Sequence, residues 1–246
     1  MSRAATGEPV RWVLWDVKDT LLKVRLSVGE QYCSEARRAG LALHPAQLHA
    51  AFRQAYRQQA ALHPNYGVAQ GLGGERWWVA VVRSTFARCG VHDASVLDHL
   101  ATRLYHNFKR PENWEVFSDT QLALRNCASM GLQLGVVSNF DNRLNGILQG
   151  CGLLPHFSFL LTSEGAGVAK PDPGIFRQAL QMCGVPASSV AHVGDHFVND
   201  YLAARSLGIR GYLLDRHGVG AGSDIPSQHR LCSLDELPAR LHQETY

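Results

Sequence analysis

Four short motifs follow one another in this chain: Trp15-Asp16-Val17-Lys18-Asp19-Thr20-Leu21, Val137-Ser138-Asn139, Lys170-Pro171-Asp172-Pro173, and Gly194-Asp195 followed by Asn199-Asp200. Together they bring a carboxylate, a hydroxyl, a fixed ammonium and two further acids. Asp16 closes an apolar run, where a carboxylate is costly to bury unless something pairs with it; carboxylates of this kind serve as nucleophiles in covalent catalysis. The prolines on either side of Asp172 restrict the backbone beyond Lys170, so its ammonium is held where it can offset negative charge. Asp195 and Asp200 join Asp16 in an oxygen-rich set of the type that suits Mg²⁺. Of the pair, Asp195 is the better metal ligand, and Asp200 fits better as a partner that orients the lysine.

Each motif taken singly has a plainer reading. A strand-end aspartate caps a turn, Ser-Asn opens one, a lone lysine is solvated, and two acids begin a helix. Their common placement decides between the readings. Apolar runs at 10–15, 132–137, 159–161, 190–193 and 209–214 read as strands, and every motif lies at or just beyond the end of a strand or between two of them. Helical patterns alternate with these strands from residue 120 onward: one at 120–128, one capped by Asp141 and running to Gly150, and one opened by Asp172-Pro173 and closed by Gly184. This alternation predicts a mainly parallel, doubly wound α/β sheet, whose ligands gather at the carboxyl ends of the strands. Between the first two strands the rhythm changes. Helical periodicity at 29–39, 45–61, 75–89 and 94–108 predicts a small helical bundle inserted at residues 23–112, leaving 8–22 and 113–246 as the sheet domain.

Composition narrows the function classes. Hydrophobic residues at 46% and charged residues at 18% suit a globular protein with a sizeable core. A net charge of +3 without a dense Lys/Arg block argues against nucleic acid and membrane surfaces as partners. The first nine residues lack the apolar segment of a secretory signal, and the six cysteines are scattered with no C-x-x-C pair. An intracellular, cytoplasmic protein with reduced thiols is expected; Gly218 to Ser223 is expected to be a surface loop.

The four motifs, in this order and strand context, resemble the haloacid dehalogenase-like hydrolase superfamily, whose members mostly hydrolyse phosphate esters with Mg²⁺. The resemblance implies a Rossmann-like core with an inserted α-helical cap. It makes Asp16 the nucleophile, Ser138 a donor to a phosphoryl oxygen with Asn139 as a second donor, and Lys170 the cation beside the nucleophile. It also makes Asp16, Asp195, Asp200 and the backbone carbonyl of Lys18 the candidate Mg²⁺ site. A small phosphorylated metabolite is the implied substrate. Cap residues would select it, with Arg53, Arg57, Asn65, Tyr66 and Trp77 as candidates from polarity and position.

One position departs from the family pattern. Phosphatases of the superfamily carry a second aspartate two residues after the nucleophile, as general acid and base; here that residue is Lys18. Lysine can donate a proton but is a poor base near neutrality. Asp19, one residue further, would face the opposite side of an extended chain, and the plainer expectation is that Lys18 simply pairs with Asp16. Three readings therefore stand: a phosphatase of low turnover, a carbon–halogen hydrolase of the kind that also lacks the second aspartate, and a non-catalytic binding member.

Overall fold

The computed structural model describes residues 8–218 and 225–243. The chain forms two compact units, one running through Lys23 and taking up Val116–Phe140 and the chain from Cys151, the other comprising Val24–Glu115 and Asp141–Gly150. The expected inserted bundle is thus present, with one difference: the short segment after the Ser138 motif groups with it.

Along the chain, β1 (Trp12–Trp15) leads to β2 (Leu22–Val24), then to four helices: α1 (Val28–Arg38), α2 (Pro45–Leu62), α3 (Gly74–Ala87) and α4 (Ala94–Asn107). Each begins where the sequence provides a start. Ser27 and Glu30 form a reciprocal capping box on α1, and Pro45 stands at the first turn of α2. Asp93 accepts the Val96 N–H on α4. Their apolar faces meet in one core of Tyr32, Ala36, Leu48, Val82, Phe86, Leu100 and Leu104, where Tyr32 and Phe86 stack with ring centres 5.7 Å apart.

The chain then forms β3 (Trp114–Val116), which pairs with β2 in a two-stranded ribbon, followed by α5 (Thr120–Ser129), β4 (Gln133–Ser138) and α6 (Leu144–Gly150). Asp141 does not cap α6 in the simple way expected. Its carboxylate takes the Arg143 backbone N–H and, through both oxygens, the Arg143 guanidinium, while Trp78 Nε1 donates to it at 2.7 Å. This buried knot, in which Arg143 also lies over the Trp78 and Tyr105 rings, is why 141–150 belongs to the helical unit.

The remaining elements are β5 (Phe159–Thr162), α7 (Ser163–Ala166), α8 (Pro173–Cys183), β6 (Val190–Gly194), α9 (Ala203–Arg205), β7 (Arg210–Leu214), β8 (Arg230–Leu231) and α10 (Leu237–Gln243). As expected, Asp172 caps α8 and Gly184 ends it in the left-handed conformation. The sheet has the order β5-β4-β1-β6-β7-β8 with parallel pairings throughout. Burial on both faces explains its continuous apolar strands; Leu14, Val137, Val190, Ile175 and Phe176 share one side of that core. From β1 the chain steps outward to β4 and β5, then crosses back to β6 and on to β7. The order therefore reverses about β1, and the carboxyl ends of β4, β1 and β6 lie side by side at the switch point. Register sets Trp15 opposite both Val136 and Val193, which places Asp16, Ser138 and Asp195 at one edge.

Among the described residues no helix is long and apolar enough to cross a membrane, and all six cysteines are free. The expected loop at 218–223 lies, from 219 on, outside the described residues. Because Phe86 is fully enclosed in the helical core, Phe86→Ala is expected to destabilise that unit by about 3–5 kcal/mol. Urea unfolding followed by far-UV circular dichroism measures this; a loss under about 1 kcal/mol would mean that this core does not hold the bundle.

Candidate active site

Asp16 stands just beyond the end of β1 and is held from several sides. Its N–H donates to Val193 O at 3.0 Å, which fixes the turn out of β1 against β6. Oδ1 accepts from Ser138 Oγ at 3.0 Å and from Lys170 Nζ at 2.8 Å; Oδ2 faces Thr20 Oγ1 at 3.3 Å. The four sequence motifs therefore do converge.

Lys170 is almost wholly buried, and its ammonium has three acceptors: Asp16 Oδ1, Val137 O at 2.9 Å and Asp200 Oδ1 at 2.6 Å. Those are all the protons it has. Burial opposes its charge, but the two carboxylates more than offset this and hold its pKa above the ordinary lysine value. Asn139 is not a free donor toward a substrate, as the resemblance implied. Its side chain clasps the Lys170 backbone, accepting from Lys170 N and donating to Lys170 O, both at 2.8 Å. Asn139 sets where the lysine stands.

Asp200 lies in a π-helical turn, Phe197–Leu202, introduced by His196. Besides Lys170, it accepts from the His196 N–H at 3.0 Å and pairs with His192 Nε2 at 2.9 Å. Burial and the neighbouring Lys170 keep His192 neutral by lowering its pKa, so Nε2 carries the proton donated to an ionised Asp200. The Asp200 carboxyl itself is held well below the usual range, because Lys170 and His192 outweigh its burial. Gly194 admits this arrangement: a Cβ there would stand 2.3 Å from Asp200 Cγ. His192 supports Asp200 without being among the residues the sequence motifs point to, although an imidazole inside the apolar run of β6 is a signal.

Asp195 differs in character. Oxygens of Asp16, Asp195 and Asp200 lie within 4.8 Å of one another, and Asp195 is the exposed member. Partial burial and the crowding of Asp16, Asp200 and Asp19 push its carboxyl up to about 7. An excess of negative charge that one lysine does not neutralise, lined with hard oxygen donors, fits a divalent cation such as Mg²⁺.

Lys18 pairs with neither Asp16 nor the lysine site. Its side chain is half exposed and its ammonium bonds to Asp19. Asp19 takes the left-handed conformation, at φ 64°, and its N–H reaches Leu22 O at 2.7 Å. An aspartate tolerates this better than most residues. In the helical unit, the five suggested cap residues divide. Trp77 is buried and donates to His63 O at 2.8 Å, so it packs. Arg53 and Arg57 are exposed, and Asn65 and Tyr66 occupy a left-handed turn at φ 46° and 60°.

Comparison with known proteins agrees with this geometry. The family model described as haloacid dehalogenase-like hydrolase matches residues 10–208. The chain is 67% identical over 238 residues to haloacid dehalogenase-like hydrolase domain-containing protein 3 of Danio rerio, covering 96% of this chain and 98% of that one. Among solved structures, the 2-haloacid dehalogenase from Pseudomonas syringae pv. Tomato DC3000 is similar with a TM-score of 0.69 at 23% identity, covering 95% of this chain and 99% of that one. The HAD-hydrolase YfnB from Bacillus subtilis bound to magnesium gives 0.69 at 16% identity, with the same coverage. By its motifs, its sheet order and the extent of the family match, the chain belongs to the haloacid dehalogenase-like hydrolases.

Proposed function

We propose that the protein hydrolyses a small phosphorylated metabolite, with Mg²⁺, through a covalent phosphoryl group on Asp16, and that its turnover is slow. One observation carries this reading: Asp16 is held by Ser138 and Lys170, while oxygens of Asp16, Asp195 and Asp200 gather within 4.8 Å of one another. Asp16 and Asp195 would hold the ion, with Lys18 offering its backbone carbonyl and Asp200 committed mainly to Lys170. When bound, Mg²⁺ supplies positive charge that draws a phosphate ester in and stabilises its departing charge. The family relatives and the magnesium-bound structure of a similar fold are consistent with this chemistry.

The chain's own residues would divide the work as follows. The Asp16 carboxylate attacks phosphorus, the ester P–O bond breaks, and the alcohol leaves with a proton. Lys170 and Ser138 hold the nucleophile's orientation and share the phosphoryl charge. Water then breaks the acyl phosphate, and its proton needs an acceptor. At position 18 an ammonium has donors and no acceptor, and its neighbour Asp19 is engaged with it. Proton donation to the leaving alcohol survives this substitution; proton removal from water does not. The second step is therefore the slow one. A dehalogenase is the second reading, favoured by the missing acid at 18 and by the similarity to a 2-haloacid dehalogenase; the acid cluster counts against it.

Phosphate release from a panel of phosphate esters, with Mg²⁺ or chelator, tests the reading. Metal-dependent release that Asp16→Asn abolishes is expected, and Lys18→Asp is expected to raise turnover toward the ~10²–10⁴-fold range of general acid–base catalysis. Release from a chlorinated acid in chelator, with none from any ester, would favour the dehalogenase.

The Asp195 carboxyl gives a second expectation. Its folded pKa of about 7 is raised, so the folded chain retains a proton that the unfolded chain gives up near its model value of 3.8. That contribution is full below about pH 4 and is lost as pH rises through about 7. The metal-free protein should thus lose stability across this window, whereas Asp195→Asn should not. Mg²⁺ should raise the melting temperature of the native chain above about pH 7 and leave the variant unchanged. Melting curves against pH that coincide for the two proteins would contradict the assignment.

A further inference from the structure

Thr20 touches both Asp16 and Asp195 with one hydroxyl, at 3.3 and 3.4 Å, and is itself fully buried. Its carbonyl is gripped from outside the motif: Arg216 Nη2 donates to Thr20 O at 2.9 Å. The next carbonyl, Leu21 O, accepts from Phe117 N at 3.1 Å and Thr120 Oγ1 at 2.7 Å. Arg216 does not hold Thr20 alone. Its guanidinium lies 4.0 Å from the Phe117 ring centre and bonds Asp119 through both terminal nitrogens, at 2.7 and 3.0 Å. Asp119 in turn accepts from Ser233 Oγ and from the Leu234 N–H, both at 2.9 Å.

We propose that Arg216 is a positioning residue for the Asp16 loop, and that through Asp119 it makes the segment from Ser233 part of that loop's support. A planar fork suits this place because its donors leave in fixed directions, one toward a backbone carbonyl and two toward one carboxylate, while its face stacks on an aromatic ring. A lysine would supply one point charge and lose that angular relation. With both the Thr20 and Leu21 carbonyls anchored, the peptide between them cannot rotate, and the Thr20 hydroxyl stays where it spans the nucleophile and the metal acid. Support of this kind acts at one remove, as partners of metal ligands commonly do, and removing such a partner typically costs about 10–100-fold in metal affinity or activity.

The rival account is an ion pair that merely closes the sheet domain. It would make Arg216 variants less stable without altering the site. The test uses full-length Arg216→Lys, Arg216→Met and Ser233→Ala beside the native chain, with three readouts taken below the melting temperature of each: kcat and KM for p-nitrophenyl phosphate, affinity for Mg²⁺ alone by calorimetry, and amide hydrogen exchange of the peptide spanning residues 16–22. Both Arg216 variants are expected to lose about 10–100-fold in kcat or Mg²⁺ affinity with KM little changed, and to exchange faster in 16–22 than elsewhere in the sheet. Ser233→Ala should shift the same readouts in the same direction by less, and it keeps the question open to test if an Arg216 variant does not fold. Lower melting temperatures with unchanged kcat, Mg²⁺ affinity and 16–22 exchange would overturn the proposal. The turnover and Mg²⁺ readouts rest on the proposed function, whereas exchange in 16–22 does not. If the native chain neither releases phosphate nor binds Mg²⁺, that reading fails by itself, while exchange still decides the role of Arg216.

Discussion

A buried lysine ammonium is the constraint around which the sheet edge is built. Removing such an ion from water costs several kcal/mol even after relaxation, and Lys170 is left with no solvent to share the burden. Two carboxylates and one strand carbonyl take its three protons. Each acceptor must then be held in place. Asp200 is fixed by His192 and the His196 N–H, Asp16 by Ser138 and Val193 O, and the lysine backbone by Asn139. Ser138 and His192 come from β4 and β6, the strands that flank the one ending at Asp16, and Val137 O from the first of these. The sheet order is thus what makes one ammonium able to reach all of its partners.

The same bookkeeping of charge explains why the site has two faces. Toward the interior, Lys170 and His192 stabilise the ionised Asp200. Toward solvent, partial burial and the neighbouring Asp16, Asp200 and Asp19 raise the carboxyl of Asp195. On the proposed reading, the site around Asp16, held by Lys170 and Ser138 with Asp195 beside it, would receive a cation and an anionic ester together. What it lacks is a group to accept the water proton, because position 18 carries an ammonium turned toward Asp19.

Much of this was legible in the sequence. The parallel core, the inserted helices and the convergence of Asp16, Ser138, Lys170, Asp195 and Asp200 follow from strand-end placement and motif order. Side chains whose partners are distant in sequence were not. Asn139 looked like a substrate donor because nothing local reveals that its amide matches the Lys170 backbone thirty-one residues on. The expected pairing of Lys18 with Asp16 gives way to a local one, because the left-handed Asp19 turns the loop and supplies the nearer partner. The grouping of 141–150 with the helical unit rests on the Asp141–Arg143–Trp78 knot, which joins residues 63 apart and is not visible in local sequence. His192 carries a local signal, a polar ring in an apolar strand, but its partner Asp200 is set by the fold.

The central claim is that Asp16 takes up the phosphoryl group, and the most direct test looks for that bond. The native chain is mixed with p-nitrophenyl phosphate and Mg²⁺, quenched in acid within the first turnover, and its peptides are weighed. Phosphoryl is expected on the peptide bearing Asp16, lost on treatment with hydroxylamine and missing when chelator replaces Mg²⁺. Phosphate release from the native chain with Asp16 never modified, and undiminished in Asp16→Asn, would contradict it.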